Sequence, residues 1–361
     1  MNKNQNNFII ICKSLLPTFV AIIIQAGVAF LAQIIVTIKV NIDYSKMASQ
    51  AGGNTEFLSE EYLLGNIEQI LRSPDFLGVM TFLSFLVLVT VFAAWFTLGG
   101  YNKNHSRITQ ALAPRNIIII LITGFLLQIG TSVFLDLLLP CFPKLNENYS
   151  ALMESLVGDR TLFYILSIVL LAPIAEELIF RGVTLGASRS FWPLVPVITL
   201  QAFLFGFYHL NIVQGVYAFI CGLFLGYTAY KLNNLLASIL LHAAINGSSF
   251  LLSQPDLENV FEIVFENRLL SLLIGTVCFI IAFSLMSLLK LPESELSGFS
   301  VPSDFAAEKI NSAFGTDNPL SRVDFSAPVR TPDLLGDISD SEKESEKSEK
   351  TINENIDVSE K

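Results

Sequence analysis

The sequence predicts an all-α, polytopic membrane protein with about eight transmembrane helices and a disordered acidic C-terminal tail. Of its 361 residues, 52% are hydrophobic and only 15% are charged, whereas soluble domains have about 25% charged residues. Residues 291–361 hold 16 of the 32 carboxylates and 7 of the 22 basic residues, so the rest is almost neutral. This composition excludes a nucleic-acid-binding protein, a secreted disulfide scaffold and a wholly disordered chain.

Eight apolar segments approach the length of about 20 residues that a membrane-spanning helix needs. They are 14–38, 77–98, 117–139, 162–182, 194–209, 215–230, 235–252 and 269–289. The first is too long for the apolar core of a signal peptide, and no A-x-A cleavage pattern follows it. We therefore expect it to stay in the mature protein as a helix.

The charges between these segments alternate along the chain. Basic residues precede the first segment and follow the second, fourth, sixth and eighth, whereas the connection 39–76 contains six carboxylates and 253–268 contains four. The positive-inside rule then places both termini in the cytoplasm. We expect an integral, multi-pass protein whose N- and C-termini are cytoplasmic.

The chain divides into four parts. Residues 1–150 hold the first three spans and the outer connection 39–76, and 151–255 hold spans four to seven. Residues 256–290 hold an amphipathic segment and the last span, and 291–361 form the tail, whose prolines and low-complexity run 339–350 predict disorder. Apolar residues at helical spacing within 63–71 and 257–265 predict two amphipathic helices at the outer membrane surface.

Few ionisable residues lie inside the spans, and such residues usually mark a functional site. Glu176, Glu177 and Arg181 lie in the fourth span. Glu177 and Arg181 stand at positions i and i+4, so they can pair on one helix face. Glu176 points about 100° away around the helix. An unpaired carboxylate in an apolar bundle suits a general base.

The fifth and seventh spans add two further polar positions. His209 follows Phe205 by four residues, and His242 precedes Asn246 by four. An asparagine amide can stabilise an oxyanion. If the three helices converge, these residues form a small hydrated cavity. The alternative is that they only join helices through hydrogen bonds.

Three motifs, EExxxR (Glu176, Glu177, Arg181), FxxxH (Phe205, His209) and HxxxN (His242, Asn246), follow one another on successive spans. In this order they resemble the CPBP family, which contains the type II CAAX prenyl endopeptidases and bacterial Abi proteins, including bacteriocin-immunity and lysostaphin-resistance members. The resemblance covers about residues 160–252. It implies an all-helical intramembrane endopeptidase, either a zinc metalloprotease or a glutamate-dependent hydrolase, in a bacterial cell membrane.

The resemblance also implies roles for single residues. Glu176 corresponds to the residue that activates water, with His209 beside it. His242 and Asn246 correspond to the pair that binds the oxyanion. If Zn²⁺ is the cofactor, its ligands would be Glu176, His209 and His242. The remaining motif positions, which are Glu177, Arg181 and Phe205, are expected to be structural.

The implied substrate is a membrane-embedded or lipidated protein or peptide, and a prenylated CAAX protein is one candidate. We expect hydrolysis within the bilayer, near its cytoplasmic half. A non-catalytic immunity or scaffold protein is the alternative. A transporter ranks last, because the two halves of the chain show no internal repeat.

Overall fold

Helices account for the regular structure of the part of the chain that can be described. The computed structural model describes residues 3–50, 60–102, 108–157, 161–189, 191–254 and 266–290. These residues belong to one unit, Met1–Pro292, and they contain no strand. The predicted tail 291–361 and the predicted amphipathic helix within 257–265 lie outside the described residues.

Ten helices of 12 or more residues organise this described part of the chain. They are α1 (Lys3–Gln50), α2 (Glu60–Leu71), α3 (Pro74–Leu98), α4 (Pro114–Leu138), α5 (Pro143–Val157), α6 (Leu162–Ser188), α7 (Leu194–Tyr208), α8 (Ile212–Lys231), α9 (Leu235–Leu252) and α10 (Arg268–Ser287). Seven of them, α1, α3, α4, α6, α8, α9 and α10, are long and apolar enough to cross a membrane. The predicted all-α, polytopic membrane architecture is therefore confirmed.

The fifth predicted span, α7, is shorter than the others. Its 15 residues extend about 22 Å, less than the hydrocarbon core of about 30 Å. A tight turn with Leu210 at φ 53° follows it, and the Asn211 side chain caps α8. A Cβ on Gly206 would lie 2.5 Å from the Gly215 carbonyl oxygen, so α7 and α8 pack closely and place His209 at their turn.

The first helix continues beyond the predicted span 14–38 and through the start of the connection 39–76. Along this extension the side chains of Thr37, Asn41 and Ser45 each donate to a carbonyl four residues earlier. Side chains satisfied in this way do not interrupt a helix. With 48 residues, α1 is about 72 Å long, more than twice the thickness of the hydrocarbon core.

The second helix, α2, confirms that residues 63–71 are helical. Leu63, Ile67, Ile70 and Leu71 are half-buried on it. The position of α2 at the outer membrane surface stays a prediction.

The fourth span, α6, contains two widened π-helical turns, Ser167–Leu171 and Leu178–Thr184. Between them lies the regular segment Ala172–Glu177, which contains both site glutamates. Pro173 has no backbone N–H, so it cannot complete the α-helical hydrogen-bond ladder with the preceding turn. π-Helical turns of this kind often occur at functional sites.

The core surrounds α6, which contacts α1, α3, α7, α8 and α9, while α4 packs against α9 and α10. Large side chains such as Phe92, Ile179, Phe180, Leu225 and Leu241 are fully buried there. The two glutamates of α6 are thus held in the centre of the helical bundle.

Candidate active site

One imidazole lies between two carboxylates at the centre of the bundle. His242 of α9 places its Nδ1 2.9 Å from Glu177 Oε1 and its Nε2 3.5 Å from Glu176 Oε2. The three residues are only 5%, 0% and 6% exposed, respectively. The helices α6 and α9 therefore bring together residues that are 65 positions apart.

The hydrogen bond to Glu177 fixes how His242 presents its second nitrogen. Because a carboxylate only accepts hydrogen bonds, Nδ1 of His242 donates to Glu177. The Nε2 atom then faces Glu176, as an acceptor in the neutral ring or as a donor in the imidazolium. A carboxylate that orients a histidine in this way recurs in hydrolytic enzymes.

Glu177 also pairs with Arg181, as its spacing predicted. The distance from Arg181 Nη1 to Glu177 Oε1 is 2.7 Å, and both side chains are completely buried. Arg181 Nη2 donates to the Gly222 carbonyl at 3.3 Å, and its Cζ lies 4.6 Å from the centroid of the Phe205 ring. The i, i+4 contact that the spacing allowed is present in the structure. The additional contact of Glu177 with His242 could not be predicted from helix spacing.

Gln201 of α7 is a buried polar residue that the sequence analysis missed. Its Nε2 donates to the Gly222 carbonyl at 2.8 Å and to the Ile198 carbonyl at 2.8 Å. Gln201 and Arg181 therefore share the Gly222 carbonyl oxygen, which joins α6, α7 and α8. The available signal was an amide within an otherwise apolar predicted span.

Phe205 lies between the two site histidines. Its ring makes edge-to-face contacts with His209 and His242, with centroid distances of 5.1 and 5.5 Å. The Nδ1 of His209 lies 2.9 Å from the Phe205 carbonyl oxygen. A carbonyl accepts, so Nδ1 donates, and the neutral ring keeps its lone pair on Nε2.

Asn246 lies one helical turn after His242 on α9. Its Nδ2 donates to the Ile168 carbonyl at 2.9 Å, within the first π-helical turn of α6. An amide nitrogen has two N–H groups, and this bond uses one of them. The bond fixes the orientation of the Asn246 amide, and Asn246 is among the residues that line the adjoining cavity.

A cavity of about 480 Å³ adjoins these groups, and Glu176, His209, His242 and Asn246 all line it. The structure thus brings together the four residues predicted to be catalytic. Glu177 and Arg181 are not among the residues that line the cavity. Glu177 contacts His242 from behind the cavity wall, and Arg181 contacts Glu177. This placement separates the residues that can touch a substrate from those that can only position others.

The predicted zinc ligands are Glu176, His209 and His242. Catalytic zinc sites usually have three protein ligands. Within the described ranges, no three His, Cys, Asp or Glu side chains are close enough together to hold a metal ion. The hydrogen bonds at Nδ1 of His209 and His242 leave Nε2 of each ring as the nitrogen that a metal ion would use. Zn²⁺ stays a prediction.

Comparison with known proteins adds a family assignment for the middle of the chain. Residues 158–248 match the sequence model of the type II CAAX prenyl endopeptidase Rce1-like family. This region, about a quarter of the chain, contains all three motifs, and it confirms the predicted resemblance to the CPBP family. No curated protein and no solved structure matches the chain. At the level of the family, the match indicates an enzyme of the CAAX prenyl endopeptidase type.

Proposed function

We propose that this membrane protein is an intramembrane endopeptidase that hydrolyses a peptide bond of a membrane-associated protein with water activated by Glu176. The observation that carries the proposal is the buried series Glu176, His242, Glu177 and Arg181 beside a cavity. The match to an endopeptidase family supports it.

Glu176 is the general base of the proposed mechanism, because its carboxylate lines the cavity. Its carboxylate takes one proton from a water molecule while the water oxygen adds to the carbonyl carbon of the substrate. The protonated Glu176 then gives that proton to the amide nitrogen as the C–N bond breaks. The products are one new carboxyl group and one new amine, so the protons balance without another reactant.

Two residues can stabilise the negative oxygen of the tetrahedral intermediate. Asn246 has a second N–H on Nδ2 besides the one that binds Ile168. His209 in its imidazolium form can donate from Nε2 because Nδ1 already donates to Phe205. Donors fixed in this way are effective because they do not reorganise during the reaction.

His242 has a positioning role in this mechanism. Its Nε2 lies beside Glu176, and Glu177 fixes the ring from the opposite side. The positive charge of Arg181 compensates the buried negative charge of Glu177. Phe205, which contacts both imidazoles, keeps the two rings apart.

The test is a cleavage assay with the purified full chain in lipid nanodiscs. Wild type and Glu176→Gln are incubated with a library of membrane peptides that includes a prenylated CAAX peptide, and mass spectrometry identifies the cut bond. We expect cleavage by the wild type and none by the variant. No cleavage of any peptide, or equal cleavage by both proteins, contradicts the proposal.

The same assay with a metal chelator separates the two possible mechanisms. Activity that survives the chelator supports the metal-free mechanism described above. Activity that is lost with the chelator and restored by added Zn²⁺ would assign the water activation to zinc instead.

A further inference from the structure

A glutamine lies near the middle of the apolar helix α4. Gln128 follows Leu126 and Leu127 and precedes Ile129 within the 25 residues of this helix. A polar amide inside a membrane span is costly unless its donors and acceptors have partners. Helix α4 lies outside the region 158–248 that matches the family model, so the three motifs give Gln128 no role.

Asn116, near the start of the same helix, is an amide with a structural role. It is 2% exposed, and its Nδ2 donates to the carbonyls of Ala111 and Lys290, each at 3.1 Å. The Gln128 side chain instead donates within its own helix, from Nε2 to Ser132 Oγ at 3.1 Å. Among the residues that the structure describes, Gln128 forms no side-chain hydrogen bond to another helix. It therefore does not join helices as Asn116 does.

Gln128 and Ser132 both line the cavity that Glu176 and His242 also line. Because Nε2 of Gln128 donates to Ser132 Oγ, the amide Oε1 remains as an acceptor and the Ser132 O–H remains as a donor. The neighbouring Thr131 differs, since its hydroxyl already donates to a carbonyl four residues earlier. The pair Gln128–Ser132 thus places one acceptor and one donor side by side at the cavity wall.

A neighbouring donor and acceptor are complementary to the backbone of an extended peptide. In an extended chain the N–H and C=O of one residue point to the same side, which is why opposite residues of antiparallel strands exchange two hydrogen bonds. The N–H of such a residue can donate to Gln128 Oε1 while its C=O accepts from the Ser132 O–H. A lipid tail has neither group and would leave both side chains without a partner.

The helices α4 and α9 begin at the same end of the bundle. Asn116, close to the start of α4, binds the Lys290 carbonyl just after the end of α10. Lys231, the last residue of α8, donates to the Ser287 carbonyl at that same end of α10. Helix α9 starts at Leu235, four residues later in the chain. The two helices therefore run in the same direction.

This direction gives the distance of the pair from the catalytic residues. A Cβ on Gly124 would lie 2.6 Å from the Ala244 Cβ, so α4 crosses α9 at this position. Gln128 lies one turn after Gly124, and Ala244 lies two residues after His242. Gln128 is thus about 9 Å beyond the level of His242 along the bundle. An extended chain covers this distance with about three residues.

We propose that Gln128 and Ser132 form a substrate-binding subsite that hydrogen-bonds the backbone N–H and C=O of one extended substrate residue, about three residues from the scissile bond. The proposal rests on the proposed peptidase function for the identity of the ligand as a substrate. In this arrangement the residues of α6, α7 and α9 carry out hydrolysis, and α4 fixes which bond of the substrate reaches Glu176.

Kinetics of two variants test the subsite. Gln128→Met and Ser132→Ala each remove one side of the pair, and KM and kcat are measured with the full chain in nanodiscs on the library peptide that the wild type cleaves fastest. We expect KM to rise about 3- to 10-fold for each variant while kcat stays within about twofold, because the lost hydrogen bond is present in both the bound substrate and the transition state. The matched control Gln33→Met, at an exposed position of α1 away from the cavity, should change neither constant. An unchanged KM for either variant overturns the proposal.

Thermal unfolding separates this role from a structural one. Gln128→Met replaces an amide in a membrane span by an apolar side chain of similar length, so the melting temperature should stay constant or rise. Asn116→Leu should lower the melting temperature, because it removes the donor to the Ala111 and Lys290 carbonyls. A fall for Gln128→Met as large as that for Asn116→Leu would assign Gln128 to packing and overturn the proposal.

Ester-containing substrates identify the residue that is bound. Each copy of the cleaved peptide has one backbone amide replaced by an ester, which removes one N–H. For the wild type, an ester about three residues from the scissile bond should raise KM about 3- to 10-fold. The same ester should have no further effect on Gln128→Met, which has already lost the acceptor. Effects of ester and variant that add at every position would overturn the backbone contact.

Peptide binding without turnover keeps the subsite separate from the peptidase function. A fluorescein-labelled prenylated CAAX peptide is titrated with Glu176→Gln in nanodiscs, and empty nanodiscs give the background. Weaker binding after addition of Gln128→Met supports the subsite, and if the wild type cleaves no peptide, this result refutes only the peptidase function. Equal binding by both proteins, or no binding above background, overturns the subsite.

Discussion

Two glutamate–arginine pairs in this chain share their local geometry but lie in opposite surroundings. Glu177–Arg181 in α6 and Glu68–Arg72 in α2 are both spaced i, i+4, and both have an N–O distance of 2.7 Å. The first pair is 0% exposed at both side chains, whereas the second is 59% exposed at the glutamate and 79% at the arginine. The same i, i+4 pattern therefore gives a buried ion pair in α6 and an exposed ion pair in α2.

The difference lies in what surrounds each pair. Glu68 and Arg72 face solvent, so their attraction is screened and contributes about 0–1 kcal/mol. Glu177 has His242 as a second partner, and Arg181 has the Gly222 carbonyl. The buried pair thus connects three helices and orients the His242 imidazole, while the exposed pair supports only its own helix.

The largest expected effect concerns Glu176, the cavity-facing neighbour of the buried pair. Glu176→Gln removes the general base at nearly constant size, so turnover should fall by about 10²- to 10⁴-fold while the melting temperature stays within a few degrees. Cleavage rate and thermal unfolding are measured on the same preparation. The exposed Glu61→Gln in α2 is the control and should change neither. Full turnover by Glu176→Gln on a verified substrate would exclude Glu176 as the base.

The second test compares the two ion pairs directly. Glu177→Gln leaves Arg181 as an uncompensated buried charge, which costs about 3–5 kcal/mol of unfolding free energy. Glu68→Gln should cost less than about 1 kcal/mol, because its arginine stays hydrated. Denaturant unfolding in mixed micelles measures both values. Equal losses for the two variants would mean that burial does not distinguish the pairs.

Glu177→Gln should also lower activity among the molecules that remain folded. The substitution replaces the carboxylate that accepts from Nδ1 of His242. If Glu177→Gln were stable but inactive and Glu176→Gln unstable but active, the roles assigned to the two glutamates would be reversed.

A third test compares a closely packed glycine, Gly206, with Gly27, a glycine that has open space around it. Gly206→Ala in α7 places a Cβ 2.5 Å from the Gly215 carbonyl oxygen, and such overpacking costs about 1–3 kcal/mol. Gly27→Ala in α1 meets no atom within 4 Å, so it should stabilise the helix by up to about 1 kcal/mol. Thermal unfolding of both variants shows whether each substitution lowers or raises the stability of the protein. Destabilisation by Gly27→Ala alone would contradict the assigned packing.

The smallest effect on stability is expected from deletion of the acidic tail. Deletion of residues 297–361 removes a segment with no periodic apolar face, so the melting temperature of the truncated protein should equal that of the full chain. A clear fall in melting temperature would show that the tail contacts the folded bundle.

Short-range relations in this molecule were predictable from the sequence, and long-range ones were not. The Glu177–Arg181 pair follows from helix geometry alone, because four residues complete about one turn. The contact of His242 with Glu177 joins residues 65 positions apart. It depends on how α6 and α9 pack, which residue spacing does not specify. The shared Gly222 carbonyl escaped prediction for the same reason.

Helix existence was also easier to predict than helix length. The apolar runs located every long apolar helix that the structure describes. The extension of α1 to Gln50 was missed because hydropathy marks the end of an apolar run, not the end of a helix. Polar side chains that bond back to their own helix continue it without an apolar signal.

The location of the Glu177–Arg181 pair within a single helix has a consequence for biosynthesis. A charged residue near the centre of an inserting helix costs about 2.5–3.5 kcal/mol, but these two can neutralise each other as soon as α6 forms. His242 is synthesised 65 residues later, so it meets a carboxylate that is already paired. Docking of α9 onto the inserted α6 then brings His242 to Glu177, so the buried cluster cannot be complete before α9 has entered the membrane.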